Sequence, residues 1–81
     1  PNIGSKITKL LFEPIDYITA TTVREEIEYT IEAFEPRVRL NSVDVVPNFE
    51  EDGYDITIDY SVIGLEEKTD TINLFLERTR G

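Results

Sequence analysis

The 81 residues carry 17 Asp+Glu against 8 Lys+Arg, a net charge of -9. That balance excludes the basic surface that duplex DNA requires and opposes docking on anionic lipid, so neither nucleic acid nor membrane is expected as a partner. There is no Cys and no His, which removes disulfide frameworks, nitrogen-ligated metal sites and Ser–His–Asp or Cys–His nucleophiles together.

A chain this short makes one domain, residues 1–81, and buries only about 60% of the surface its unfolded form exposes. At 40% hydrophobic residues it is globular despite its charge. No apolar run approaches the roughly 20 residues of a membrane span. The chain opens on Pro1-Asn2-Ile3-Gly4 without an initiator Met, and the expectation is that an N-terminal portion precedes it in a longer protein.

The first expected element is a helix of about two turns. Ser5 serves as its cap, Ile7, Leu10 and Leu11 as its apolar positions, and Pro14 as its stop, since the residue before a proline avoids helical geometry. A second, long helix is expected to start at 19–22, where Thr22-Val23-Arg24-Glu25 has the form of a capping box. Its apolar stripe is Val23, Ile27, Ile31 and Phe34. Glu25, Glu28 and Glu32 lie opposite, with Arg24 and Glu28 spaced to pair. Pro36 ends it.

Beyond Pro36 the period changes from helical to two. Val38 and Leu40 alternate, then Val43 and Val45 continue with shifted parity, which predicts a bulge or a break around Asn41-Ser42. Pro47 predicts an edge position or a strand end. Glu50-Glu51-Asp52-Gly53 reads as a hairpin connection with Gly53 supplying positive φ. Tyr54, Ile56, Ile58, Tyr60 and Val62 alternate with Asp55, Thr57, Asp59 and Ser61 as a half-buried strand. The segment Gly64-Leu65-Glu66-Glu67-Lys68 turns the chain. A third strand follows at about 69–79, with Ile72, Leu74 and Leu76 inward and Thr71, Asn73, Phe75 and Glu77 outward. Short links between successive strands give an antiparallel meander. The fold class is therefore α+β: a short and a long helix packed on a three-stranded antiparallel meander, in two layers.

Carboxylates are the only catalytic equipment in the chain. Glu13, Glu25, Glu35, Glu50, Glu51 and Asp52 are available for a glycosidase pair, but when a fifth of the chain is acidic their abundance identifies nothing, and a thin two-layer domain offers little cleft. The acidic turn 50–53 lacks the spacing and the closing Glu of a calcium loop and reads as a solvated hairpin tip. No Gly-rich phosphate loop is present. No enzyme activity and no cofactor are expected.

The segment Phe34-Glu35-Pro36-Arg37 joins the long helix to the first strand. Glu35 faces the negative end of the helix macrodipole, which costs about 0.3–1 kcal/mol. Arg37 is placed to offset this through the last carbonyls or by pairing with Glu35. Two readings stand side by side: a stiff corner that fixes the strand's departure, and a polar clamp offered to a partner.

Ala33-Phe34-Glu35-Pro36-Arg37-Val38 resembles the Glu-Pro-Arg signature of the small wedge subunit of contractile-tail baseplates. That family includes the sheath-initiating protein of T-even phages and the related baseplate subunit of type VI secretion systems. Pro1-Asn2-Ile3-Gly4 with Leu11-Phe12-Glu13 is similar to the stretch ahead of the family's long helix, and Thr22-Val23-Arg24 with Ile27 and Ile31 to that helix. Val43-Val45-Val46-Pro47 and Tyr60-Ser61-Val62-Ile63 are similar to its strands. Family members usually carry a further N-terminal segment, so the resemblance implies the C-terminal, sheath-facing part of such a subunit.

The resemblance implies a structural role in the virion tail baseplate, after assembly in the host cytoplasm. The partners it implies are larger wedge subunits and the tail sheath protein, in a ring around the tail tube. Glu35, Pro36 and Arg37 are implied to contact the wedge core. The edge strand bearing Asn73, Phe75 and Glu77 is a candidate for sheath contact by strand addition, although an exposed Phe is ordinary by itself. Two other readings stay open: an anti-adaptor of the same fold that binds a protease-delivery protein, and a tail-associated muramidase.

Overall fold

A computed structural model describes residues 3–64 and 68–80, with residues 3–5 described by backbone alone. Helices α1 (Ile3–Leu10) and α2 (Tyr17–Phe34) precede strands β1 (Val38–Asn48), β2 (Gly53–Val62) and β3 (Thr69–Glu77). The strands form one antiparallel sheet in the order β1-β2-β3. The expected α+β meander is therefore observed. Its shortest dimension, 17 Å, is that of one helical layer on one sheet, so the outer face of the sheet carries no second layer.

Both helices begin earlier than their sequence signals suggest. Ser5 lies inside α1 rather than at its cap. Helix α2 starts at Tyr17 because Asp16, in extended geometry at φ -157 and ψ 171, caps it: its Oδ1 accepts the Thr19 N–H at 2.6 Å. The Thr22 hydroxyl, expected at the cap, instead donates to the Ile18 carbonyl at 3.3 Å within the helix. A Ser/Thr-x-x-Glu spacing also arises by chance inside a helix, and the aspartate six residues upstream satisfies the orphan amide first. The cap of α2 is thus a carboxylate.

The core is small. Ala20, Val23 and Ile27 of α2 meet Val43 of β1 and Tyr54, Ile56 and Ile58 of β2, with Ile7, Leu10, Leu11, Ile15 and Leu76 packed around them. Val23, Tyr54 and Ile56 are fully buried, and each such side chain contributes about 1.5–3 kcal/mol. The stripe departs from expectation at its end, because Phe34 remains 51% exposed. Arg24 and Glu28 form no ion pair; among the described residues the helices are joined instead by Lys6–Glu26 at 3.1 Å.

The parity shift in β1 is a bulge, as predicted. Leu40 pairs with Tyr60 and Ser42 with Asp59, leaving Asn41 as the extra residue. Leu40 and Val43 thereby both face the helices. Pro47 sits one residue before the end of an edge strand, where its missing N–H is harmless.

The hairpin tip corrects the reading of Gly53. Positive φ belongs to Asp52, at 57°, and not to the glycine. Gly53 is needed for space: a Cβ there would stand 2.5 Å from the Leu76 carbonyl oxygen and closer still to the Phe75 ring. Phe75 therefore lies over Gly53 on the outer face, 39% exposed. At the second turn Gly64 has φ +93, and the rest of the predicted turn at 65–67 lies outside the described residues.

The outer face is solvated and self-satisfied. Asp59 accepts from the Thr71 hydroxyl at 2.6 Å and the Ser42 hydroxyl at 2.9 Å, contacts that hold its carboxyl below the ordinary range. Thr57 donates to Asn73 at 3.0 Å, and Asn48 to Asp55 at 3.0 Å. After β3 the chain straps the fold together. The Arg78 N–H donates to the Asp52 carbonyl and the Thr79 N–H to the Leu11 carbonyl, each at 2.8 Å. The Asp52 carboxylate holds the Arg80 guanidinium, with Arg78 3.9 Å away.

Candidate partner-docking surfaces

The Glu35-Pro36-Arg37 corner is built by main chain. The Glu35 N–H donates to the Ile31 carbonyl at 2.8 Å, closing α2, and the Glu35 carbonyl accepts from the Val38 N–H at 3.0 Å. The Arg37 carbonyl accepts from the Ile63 N–H at 2.7 Å, tying the corner to the end of β2. Glu35 adopts φ -127 and ψ 76, the non-helical geometry that a following proline enforces.

The side chains do none of this work. All three residues are exposed, and no ion pair among the described residues joins Glu35 to Arg37. The last turn of α2 has no basic residue, and among the described residues no ion pair of Arg37 offsets Glu35. A rigid backbone here presents a carboxylate and a guanidinium that have no ion-pair partner among the described residues.

Beside the corner lies an open apolar groove of about 300 Å³, lined by Ile31 and Glu35 of α2, Val38 and Leu40 of β1, Ile58 and Tyr60 of β2, and Ile72 of β3. It exists because β3 is only partly covered. Ile72 and Leu74 face the helical side as predicted, but they stay 42% and 38% exposed, and only Leu76 packs on the core. The corrected inner face of β3 is thus half finished.

Asn73, Phe75 and Glu77 lie on β3 away from the corner. Thr69 pairs with Ser61 near the corner end of the sheet, whereas Glu77 pairs with Gly53 at the hairpin end. Eight strand residues separate these pairs by about 27 Å, with Asn73 midway between them and its neighbour Ile72 lining the groove beside the corner. Phe75 has a local occupation that the sequence reading did not assign: its ring covers Gly53. A glycine opening a strand opposite an aromatic-bearing strand is the signal that pointed to it.

A further exposed feature escaped the sequence reading. Tyr17 and Phe49 meet edge to face with centroids 5.9 Å apart, and remain 68% and 59% exposed. They join the start of α2 to the hairpin tip, elements that are distant in sequence and whose approach no periodicity reveals. No group of three or more acidic side chains suited to a metal ion occurs among the described residues.

Comparison with known proteins gives two findings. A family model described as baseplate wedge protein gp25 matches residues 1–66. Over 76 residues the chain is 32% identical to the baseplate wedge protein gp25 of Enterobacteria phage T4, an alignment covering 94% of this chain and 58% of that protein. The chain therefore spans somewhat over half the length of this relative.

Proposed function

The chain belongs to the baseplate wedge protein family of contractile phage tails, whose role is structural, and from that premise we propose that it acts as a two-sided adaptor in the baseplate. One side, Glu35-Pro36-Arg37, docks on larger wedge subunits. The other, the β3 edge carrying Asn73, Phe75 and Glu77, receives tail sheath protein and starts its polymerisation. Assembly takes place in the host cytoplasm, and the finished subunit resides in the baseplate ring of the virion. It performs no catalytic step.

The observation that carries this reading is the division of labour at the corner. Three main-chain hydrogen bonds fix its shape, so Glu35 and Arg37 are free for an outside partner, held in a geometry that loses little entropy on binding. An arginine fork at such a site suits a carboxylate bidentately. The adjoining apolar groove supplies contact area beside these charges.

The test is Arg37→Ala. Wedge assembly from purified subunits should weaken by roughly tenfold or more, the loss expected for a charge-assisted contact, while the thermal melt of the isolated variant stays unchanged. A variant that unfolds makes the corner structural. One that assembles normally removes it from the interface. The absence of catalysis is checked separately: a peptidoglycan suspension should keep its turbidity in the presence of the protein.

A further inference from the structure

The two edges of the sheet are treated very differently. Edge β1 is guarded by its bulge at Asn41, by Pro47 near its end, and by α2 packed along it. Tyr17, Ala20, Thr21 and Arg24 of that helix face Val43–Val46 across an open cleft. Edge β3 has none of these devices. Its nine residues pair with β2 in unbroken register, it holds neither proline nor bulge, and its central run Thr71–Leu76 carries no charge. Natural sheets rarely leave such an edge open, because it is a template for another strand.

We propose that, before any other partner arrives, this edge is occupied by β3 of a second copy of the chain, antiparallel about a twofold axis at Asn73. The sequence of the strand is self-complementary in that register. Thr69 faces Glu77 of the second copy, Asp70 faces Leu76, Thr71 faces Phe75, and Ile72 faces Leu74. Every pair joins residues of one face, so the inner apolar row runs on across the axis and covers the half-exposed Ile72 and Leu74. Neither acid of the strand faces an acid. At the centre Asn73, whose Oδ1 already accepts from Thr57, meets its own copy. The register uses all nine residues, and a shift in either direction uses fewer.

The guarded β1 edge stops the association at two, giving a closed isologous dimer with one six-stranded sheet and not a fibre. Each copy carries -9, so repulsion opposes pairing and salt favours it. A single pair of short strands buries less than a standard stable interface, which makes the dimer an exchangeable cap that a foreign strand can displace. The inference uses the edge that the proposed function gives to sheath protein, but it does not depend on that assignment, since it is read on the isolated chain.

Sedimentation of the purified chain across a concentration series at low and high salt should show a mass rising from 9.3 kDa toward twice that value, with the midpoint at lower protein concentration in high salt. Because the chain has no cysteine, symmetric crosslinking reports the register. Facing residues of antiparallel strands have Cα atoms about 4.5–5.5 Å apart, within disulfide reach, so Asn73→Cys should form covalent dimers on mild oxidation. Thr71→Cys places the two sulfurs on residues about 14 Å apart, and should crosslink roughly tenfold less. Asn73→Lys, which sets two cations face to face, should leave a folded monomer. A chain that is monomeric under all conditions overturns the proposal and leaves the edge to a foreign strand. Equal crosslinking at both cysteines, or a dimeric Asn73→Lys variant, overturns it as well.

Discussion

Replacing Gly53 by alanine adds a single methyl group where the structure has no room. The new Cβ would lie 2.5 Å from the Leu76 carbonyl oxygen and nearer still to the Phe75 ring. The ring can rotate away, but the carbonyl belongs to the neighbouring strand and moves only if the strands separate. Overpacking of this kind costs about 1–3 kcal/mol. For a domain of this length each kcal/mol lowers the melting temperature by roughly 4–8 °C, so a fall on the order of 10 °C is expected. Thermal and urea melts followed by circular dichroism measure it, with the urea slope checking that the unfolded reference is unchanged. Combining Gly53→Ala with Phe75→Ala should recover only part of the loss, because the carbonyl contact survives. A Gly53→Ala protein within about 0.5 kcal/mol of the parent, the range of an innocuous surface change, would show that the close approach does not constrain the sheet.

Gly64 makes the opposite case: a Cβ there meets nothing within 4 Å, but φ is +93. Gly64→Ala should therefore cost on the order of 1 kcal/mol through backbone conformation alone, and Gly64→Asn, which tolerates positive φ better, should cost less in the same melts. Acid stability follows from two carboxylates. Asp16, through the Thr19 amide, and Asp59, through the Thr71 hydroxyl, have folded pKa values below the ordinary 3.8. Groups depressed on folding stabilise the protein above their unfolded pKa, and that contribution is lost as pH falls through the folded values. Stability should thus decline below about pH 4, and the decline should be shallower in Asp59→Asn than in the parent; identical acid limbs would contradict the assignment.

The bodies of the elements were legible because each has an unambiguous period. Alternation from Tyr54 to Val62 gave β2 its inner and outer faces, and the break in parity after Leu40 located the bulge that the register shows. Boundaries were less legible because several residues compete for the same local role. Asp16 and Thr22 both qualify as caps, and only the packing of Tyr54, whose hydroxyl lies 3.4 Å from the Asp16 amide, favours the earlier start. Asp52 and Gly53 both tolerate positive φ, and the ring of Phe75 decides between them by occupying the space above the glycine. The exposure of Ile72 and Leu74 was hidden for another reason. An inward-facing residue in a period-two pattern is buried only where the opposing layer extends far enough, and sequence period carries no record of that extent. At the Glu-Pro-Arg corner the proline-enforced turn was readable, whereas the lack of any bond between Glu35 and Arg37 was not, since side-chain pairing depends on directions that adjacency in sequence does not fix.

The strap formed by Arg78–Arg80 also sets a schedule. Its clasp on Leu11 joins the last turn of the described structure to nearly the first, and its grip on Asp52 closes the hairpin tip. During synthesis, α1 and α2 leave the ribosome well before the residues that fasten them to the sheet. Until residues 78–80 clear the exit tunnel the helical pair has only part of its cover, and the contacts that complete the domain are its most distant in sequence, the class that closes latest. The edge strand β3 directly precedes this clasp in the chain, so the two leave the tunnel in immediate succession.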